Sequence, residues 1–356
     1  MKIALVVHDF LGGVGHGRYA IELARNFSRD HDLHVLANRF EDGLDFRYHR
    51  HFVHAWRGSA LSAALTFPGA AQKIIDRERF DVVHAQGFAC QRANVITAHV
   101  CNAARYKRDL AHGWRKRLFP FFVIPRERAF YKRAKDSQVI ALSRVAQREL
   151  ASEYQVQGAT VIYHGIDTEK FKSAGPKAGL SRWLFVGEAV KGLGTVIEAL
   201  NYFPEAHLQV VTRSPPAGWK DLAARKGLSS RISFMGAMEN VAPAYQAADL
   251  FIYPSPYDTF GMVVAEAMSS GLPVIASREI GAAEWIEEGV NGFLCDPANV
   301  NSILEQIRTI HTLSPDRLNG ICAAARATAM RHTWNDCARS SFEVYQRAIA
   351  NNCVSK

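Results

Sequence analysis

YDTFGMVVAEAMSSGLPVI, residues 257–275, sets two carboxylates, Asp258 and Glu266, eight positions apart around the turn Thr259-Phe260-Gly261-Met262. The apolar run that follows the turn is broken only by Glu266. With Thr259 as N-cap and a helix running through Ser270, the first-turn amides around Phe260, Gly261 and Met262 lack partners within the helix and face outward at the positive end of its dipole. Such an end is a seat for phosphate. Glu266, flanked by Val263, Val264, Ala267 and Met268, would cost several kcal/mol to bury unless something hydrogen-bonds it, and a pair of ligand hydroxyls is a natural partner. An ordinary capped helix with one glutamate reaching to solvent fits the same letters, and the segment alone does not decide between the two.

Working outward, short β-branched runs alternate with helical patterns on both sides of this stretch. In the first half, strands are expected at 3–7, 33–37, 81–85 and 95–100, with helices at 17–27 and 60–76. In the second, strands at 183–187, 208–212, 232–235, 250–253 and 273–276 alternate with helices at 194–201, 220–226, 241–247 and 261–270. Strands that alternate with helices make parallel sheets covered on both faces. A chain of 356 residues accommodates two such doubly wound domains, each with its own core. The expected boundary lies in KSAGPKAGL, residues 172–180, giving domains at 1–172 and 173–335 and a last helix within 336–356. Ligands of open α/β sheets sit beyond the carboxyl ends of the strands, so two facing domains imply a cleft.

Composition excludes several classes. With 48% hydrophobic and 22% charged residues the chain is neither disordered nor collagen-like. Cys90, Cys101, Cys295, Cys322, Cys337 and Cys353 have no paired short spacing and read as reduced thiols of a cytoplasmic protein. The opening MKIALVVHDF reads as a buried first strand and not as a secretory signal. No stretch approaches the roughly 18 apolar residues of a membrane span. Asp30-His31-Asp32 spells the Asp-x-Asp of metal-dependent sugar transfer, but it lies in a polar turn; no metal site is expected there or elsewhere.

The net charge of +9 is localised. From Arg105 to Lys135 there are eleven Lys/Arg against Asp109 and Glu127, which leaves 32 basic and 32 acidic residues elsewhere. Trp114, Leu118, Phe119, Phe121, Phe122, Phe130 and Tyr131 interleave with these charges, a composition that suits an anionic membrane surface better than a solubilising face.

The stretch around residues 254–292 resembles the nucleotide-sugar site of family 4 retaining glycosyltransferases of the GT-B fold. The match runs from Pro254-Ser255 through Asp258, Phe260-Gly261, Glu266-Ala267-Met268 and Gly271-Leu272-Pro273-Val274 to Gly281, Glu284 and Asn291-Gly292. The first acidic position of the family pattern is commonly Glu; here it is Asp258. The resemblance implies that Glu266 holds the ribose, that Asp258 and His99 orient the donor sugar, and that Lys191, in FVGEAVKGLGTVIEAL (185–200), reaches the diphosphate together with the amides at 259–262. Glu188 stands where the family carries an arginine, and Arg213 is the substitute expected from position. The spacing in HDFLGGVGHG (8–17) fails the dinucleotide fingerprint, and the resemblance instead casts Gly12 and Gly13 as a Gly-Gly turn at the donor diphosphate. His16 and His84 are acceptor-side candidates. Ser143, the turn 163–167 and Gly236 also fall on family positions.

The implied activity is metal-independent, retaining transfer of a sugar from a nucleoside diphosphate, UDP foremost, to a hydroxyl of a lipid-linked or glycan acceptor in cell-envelope synthesis. The enzyme would be cytoplasmic and peripheral at the membrane, with the last helix crossing back onto the first domain. It would need no cofactor beyond the nucleotide-sugar substrate and have no nucleic-acid partner. A nucleotide-sugar epimerase of similar fold and a noncatalytic sugar-nucleotide-binding subunit remain open alternatives.

Overall fold

The computed structural model describes residues 1–13, 15–56, 58–108, 114–175 and 179–354, without the side chains of 60, 114–119 and 352–354. It divides into two compact units, Met1–Gly165 with Trp334–Lys356, and Ile166–Thr333. The expected break at 172/173 falls inside the second unit, because Phe171 is fully buried there. Its ring packs on Tyr245, and its carbonyl accepts hydrogen bonds from Ser269 Oγ and Arg326.

Among the described residues, nine strands belong to the first unit: β1 (Lys2–Val6), β2 (Asp9–Phe10), β3 (Asp32–Ala37), β4 (Arg39–Phe40), β5 (His49–Phe52), β6 (Val82–Gln86), β7 (Val95–Ala98), β8 (Gln138–Ala141) and β9 (Thr160–Val161). Seven form one sheet in the order β5-β3-β1-β6-β7-β8-β9, every pair parallel, while β2 and β4 pair separately. Ile3 lies between Leu33 and Val82, so β1 is covered on both edges and both faces and carries an unbroken apolar run. The helix Trp334–Val354 belongs to this unit: Val344 and Tyr345 are fully buried, and Tyr345 Oη lies 2.7 Å from His84 Nδ1.

Among the described residues, six strands build the second unit: β10 (Arg182–Val186), β11 (His207–Val211), β12 (Ile232–Gly236), β13 (Leu250–Tyr253), β14 (Val274–Ser277) and β15 (Phe293–Cys295). Their order is β12-β11-β10-β13-β14-β15, again all parallel. Trp183, Phe185 and Phe251 are fully enclosed, each worth about 2–3 kcal/mol of transfer from water.

Both sheets are doubly wound. In each, strand order reverses beside the first strand, between β1 and β6 and between β10 and β13. The loops at the carboxyl ends of these strands diverge there and leave room for a ligand. The loops concerned are the one after β1, containing Gly12, and those after β10 and β13, containing Lys191 and Asp258. Among the described residues no helix is long and apolar enough to cross a membrane.

Candidate active site

In the second unit the strand-order reversal brings Lys191 and Asp258 together. After β10 the chain makes a 3-10 turn, Ala189–Lys191, that ends at Gly192 with φ 101°. A Cβ at Gly192 would lie 2.4 Å from the Pro254 carbonyl oxygen, so only glycine lets the turn press against the segment after β13. Lys191 Nζ then reaches Asp258 Oδ2 at 3.2 Å and donates to the Tyr257 carbonyl. Tyr253 Oη donates to the same carboxylate at 3.0 Å, and the Phe260 amide at 3.3 Å. Burial alone would raise the pKa of Asp258, but the Lys191 ammonium and the hydrogen bonds from Lys191 and Tyr253 outweigh it and hold the carboxyl below its ordinary value. About a quarter of each side chain, 25% of Lys191 and 24% of Asp258, remains exposed, enough to meet a ligand. Tyr253, the last residue of a buried strand, reads from sequence as core alone.

The helix that follows starts later than expected. It spans Met262–Ser269, and its N-cap is Gly261, in the left-handed region at φ 93°, where no side chain caps it. Thr259 is buried and is not the cap. Phe260 is also buried: its ring packs on Trp285 at 5.0 Å, its carbonyl accepts from the Ala282 amide at 2.6 Å, and its own amide serves Asp258. The helix start thus presents Gly261 and Met262 in place of the four-residue turn. Glu266 is 4% exposed, and Tyr245 Oη donates to its Oε2 at 2.8 Å, so a protein hydroxyl takes a bond expected of a ligand.

Glu188, in place of the family arginine, accepts from Ser214 Oγ at 2.6 Å, and that oxygen accepts from the Ala189 amide at 3.0 Å. Ser214 thereby ties the turn after β11 to the turn bearing Lys191. Arg213, exposed on the former, stands one residue from the tie.

In the first unit His99 follows β7, and its Nε2 lies 2.7 Å from Gln86 Oε1. Its ring contacts Tyr19 at 5.0 Å and His16 and His164 at 6.2 Å. Burial, then the neighbouring His16, His164 and His84, hold its pKa well below the ordinary imidazole value, so the ring is neutral. Burial also lowers His16, with Asp9 opposing. The Gly12 amide donates to the Glu41 carboxylate, which occupies the anion-facing side of the turn, while Gly13 is exposed. His84 requires correction. It is fully enclosed, with Nδ1 on Tyr345 and Nε2 2.7 Å from Thr97 Oγ1, and burial lowers its pKa to about 3. It is a core residue and meets no acceptor. Ser143 is likewise structural, capping the helix Arg144–Tyr154 through the Ala146 amide.

The basic segment is only partly visible. Residues 109–113 and the side chains of Arg115, Lys116 and Arg117 lie outside the described residues. On the helix Trp114–Arg133, Phe121 is 72% exposed and packs edge-on against Phe122, while Arg126, Arg128, Lys132 and Arg133 face solvent. Phe130 and Tyr131 are buried and leave the expected apolar surface. Lys107 and Arg108 pair with Glu153 and Glu149. Asp32, which opens β3, lies beside His34 and His49, with one ligand atom from each within 4.8 Å of the others.

Glycosyl transferases group 1, a family model, matches residues 181–312, and another, Glycosyltransferase Family 4, matches residues 13–170. The chain thus carries a family 4 glycosyltransferase domain followed by a group 1 glycosyltransferase domain. A D-inositol 3-phosphate glycosyltransferase of Corynebacterium kroppenstedtii is 31% identical over 46% of this chain and 40% of its own length. The chain spans at most 60% of the length of the first curated relatives it matches. Among solved structures, WaaG, a glycosyltransferase involved in lipopolysaccharide biosynthesis, superposes with a TM-score of 0.82 at 22% identity, over 95% of this chain and 98% of its own. Anabaena HepE in complex with UDP and glucose gives 0.74 at 21% identity, over 96% and 98%. The fold is GT-B.

Proposed function

We propose that this chain transfers a sugar from a nucleoside-diphosphate sugar to an acceptor hydroxyl with retention of configuration, and that no metal ion takes part. The observation that carries the reading is the Lys191–Asp258 pair beside an uncapped helix start, at the strand-order reversal of the unit whose residues 181–312 match the family. A departing nucleoside diphosphate develops negative charge, which Lys191 and the amides at Gly261 and Met262 would compensate, with exposed Arg213, next to Ser214 in sequence, assigned to add to them. In that state Lys191 exchanges part of its bond to Asp258 for phosphate oxygen. Asp258, freed at one oxygen but still held by Tyr253, would accept a donor-sugar hydroxyl. Glu266, braced by Tyr245, would accept the ribose hydroxyls. In the first unit, neutral His99 is assigned to the donor sugar and His16 to the acceptor, and the Gly12-Gly13 turn would take the diphosphate once the Glu41 carboxylate gives up the Gly12 amide.

UDP is the first base to test, since HepE is solved with UDP and glucose. We further assign a lipid-linked acceptor in envelope synthesis, on the strength of exposed Phe121 and Phe122 among exposed Arg126, Arg128 and Lys132. The deciding experiment follows free nucleotide and sugar identity on incubating UDP-sugars with membrane lipid extract in excess EDTA. Acceptor-dependent release of UDP supports the reading. Interconversion of the sugar would identify an epimerase, and donor binding with no release a noncatalytic subunit.

A further inference from the structure

β3 and β5 lie side by side at one edge of the seven-stranded sheet, with His34 opposite His49 and Leu36 opposite His51. Side chains alternate along a strand, so Asp32 and His34 share a face of β3. His49 presents its ring to the same face: the imidazoles of His34 and His49 stack at 4.5 Å. Asp32 Oδ1 stands 3.3 Å from His34 Nε2 and 3.3 Å from His49 Nε2, and one ligand atom from each of the three residues lies within 4.8 Å of the others. A zinc ion held tetrahedrally by nitrogen and oxygen at about 2.0–2.1 Å spaces neighbouring ligand atoms about 3.3 Å apart. Both distances to Asp32 already have that value.

His34 is the buried member of the group: its residue is 7% exposed, and its Nε2 points at the Asp32 carboxylate, 3.3 Å away, and at His49. Its other nitrogen, Nδ1, lies 2.8 Å from His51 Nε2. With Nδ1 as the donor to His51, Nε2 turns its lone pair toward the Asp32 carboxylate, and this is the tautomer that a cation between them would select. An imidazole ligand whose far nitrogen is held by a hydrogen bond is the usual arrangement around bound metal. Phe80 walls the group, 5.3 Å from the His34 ring, and the nearby Lys2 ammonium is paired with Glu78 at 2.7 Å.

We propose that Asp32, His34 and His49 bind one zinc ion, with solvent as fourth ligand and His51 orienting His34. Among the described residues thiolates do not compete, since Cys90, Cys101, Cys295, Cys322 and Cys337 are buried. The ion has a structural role. β5, His49-Arg50-His51-Phe52, buries almost nothing, so an ion bridging it to β3 fastens an edge strand that packing does not. Asp32 and His49 begin their strands, whereas the Gly12 turn and His99 follow strand ends, so the ion sits at the opposite end of this sheet from the residues assigned to substrate.

Calorimetric titration of EDTA-treated protein with Zn²⁺, paired with thermal unfolding, tests the site. Wild type is expected to bind one ion per chain and to melt higher as zinc rises. His49→Ala and Asp32→Asn, both at exposed positions that leave the fold intact, are expected to bind at least tenfold more weakly and to lose the zinc-dependent rise. Wild type that takes up no zinc, or variants that bind as wild type does, overturn the proposal.

Discussion

Asp258 is held by a lysine ammonium, a tyrosine hydroxyl and a backbone amide, and it keeps about a quarter of its surface open. Glu266 is almost closed off and braced by Tyr245. The two carboxylates are therefore expected to fail differently. Asp258→Asn removes a charge beside the reacting sugar and is expected to lower turnover more than nucleotide affinity, whereas Glu266→Gln lowers affinity more. Each loss is about 1.5–3 kcal/mol, roughly ten- to a hundredfold, read from kcat and from the dissociation constant. Equal, small changes in both quantities for both variants would dissolve the assignment. These residues were legible because their spacing and family pattern survive in the letters. Tyr253 and Tyr245 were not, since each reads as a core aromatic until a strand end and a helix turn bring its hydroxyl to a carboxylate. His84 erred the other way: a histidine in an apolar strand looks functional, and only the position of Tyr345, 261 residues away, shows its ring enclosed.

At the level of elements, backbone conformation decides where the machinery sits. Thr259 is a good N-cap by type, but Gly261 in the left-handed region sets the helix start, and that preference is invisible in the residue order. Gly192 has the same importance for the turn bearing Lys191. Gly192→Ala meets both positive φ and the Pro254 carbonyl, and an expected loss of about 2–4 kcal/mol should appear as a lower melting temperature together with weaker nucleotide binding. β5 escaped the sequence reading because His49-Arg50-His51-Phe52 has no apolar alternation. The helix Trp114–Arg133 docks partly through Glu127, which is buried against Tyr154 and the Asn102 amide. Burial raises its pKa from 4.5 to about 7, so between those values the folded state keeps a proton that the unfolded chain has lost. Its contribution is thus fullest below pH 4.5 and falls away as pH rises to 7, by on the order of 3 kcal/mol. Glu127→Gln should remove this slope, so the variant gains on wild type as melting is followed from pH 4.5 to 7. Parallel melting curves at every pH would refute the burial argument.

For the whole molecule, alternating strands and helices made two doubly wound units legible, while their limits were harder, because the Gly-, Pro- and Ala-rich stretch 172–180 looks like the linker, whereas the first unit stops at Gly165 and Phe171 is buried in the second. Charge is the other global property. The excess of nine positive charges sits in residues 105–135, so attachment to anionic lipid should be electrostatic and local. Wild type is expected to sediment with anionic vesicles at low salt and to be released as screening shortens toward 10 Å near 0.1 M. Phe121→Asp with Phe122→Asp should weaken attachment even at low salt, and protein that ignores such vesicles altogether would remove the membrane assignment. The central claim, that a nucleoside diphosphate is held at the Lys191 turn, is met most directly by calorimetric titration of wild type and Lys191→Ala with UDP, GDP and ADP. One of the three should bind wild type one to one and bind Lys191→Ala ten- to a hundredfold more weakly. Binding of none of them, or equal affinity for both proteins, would contradict it.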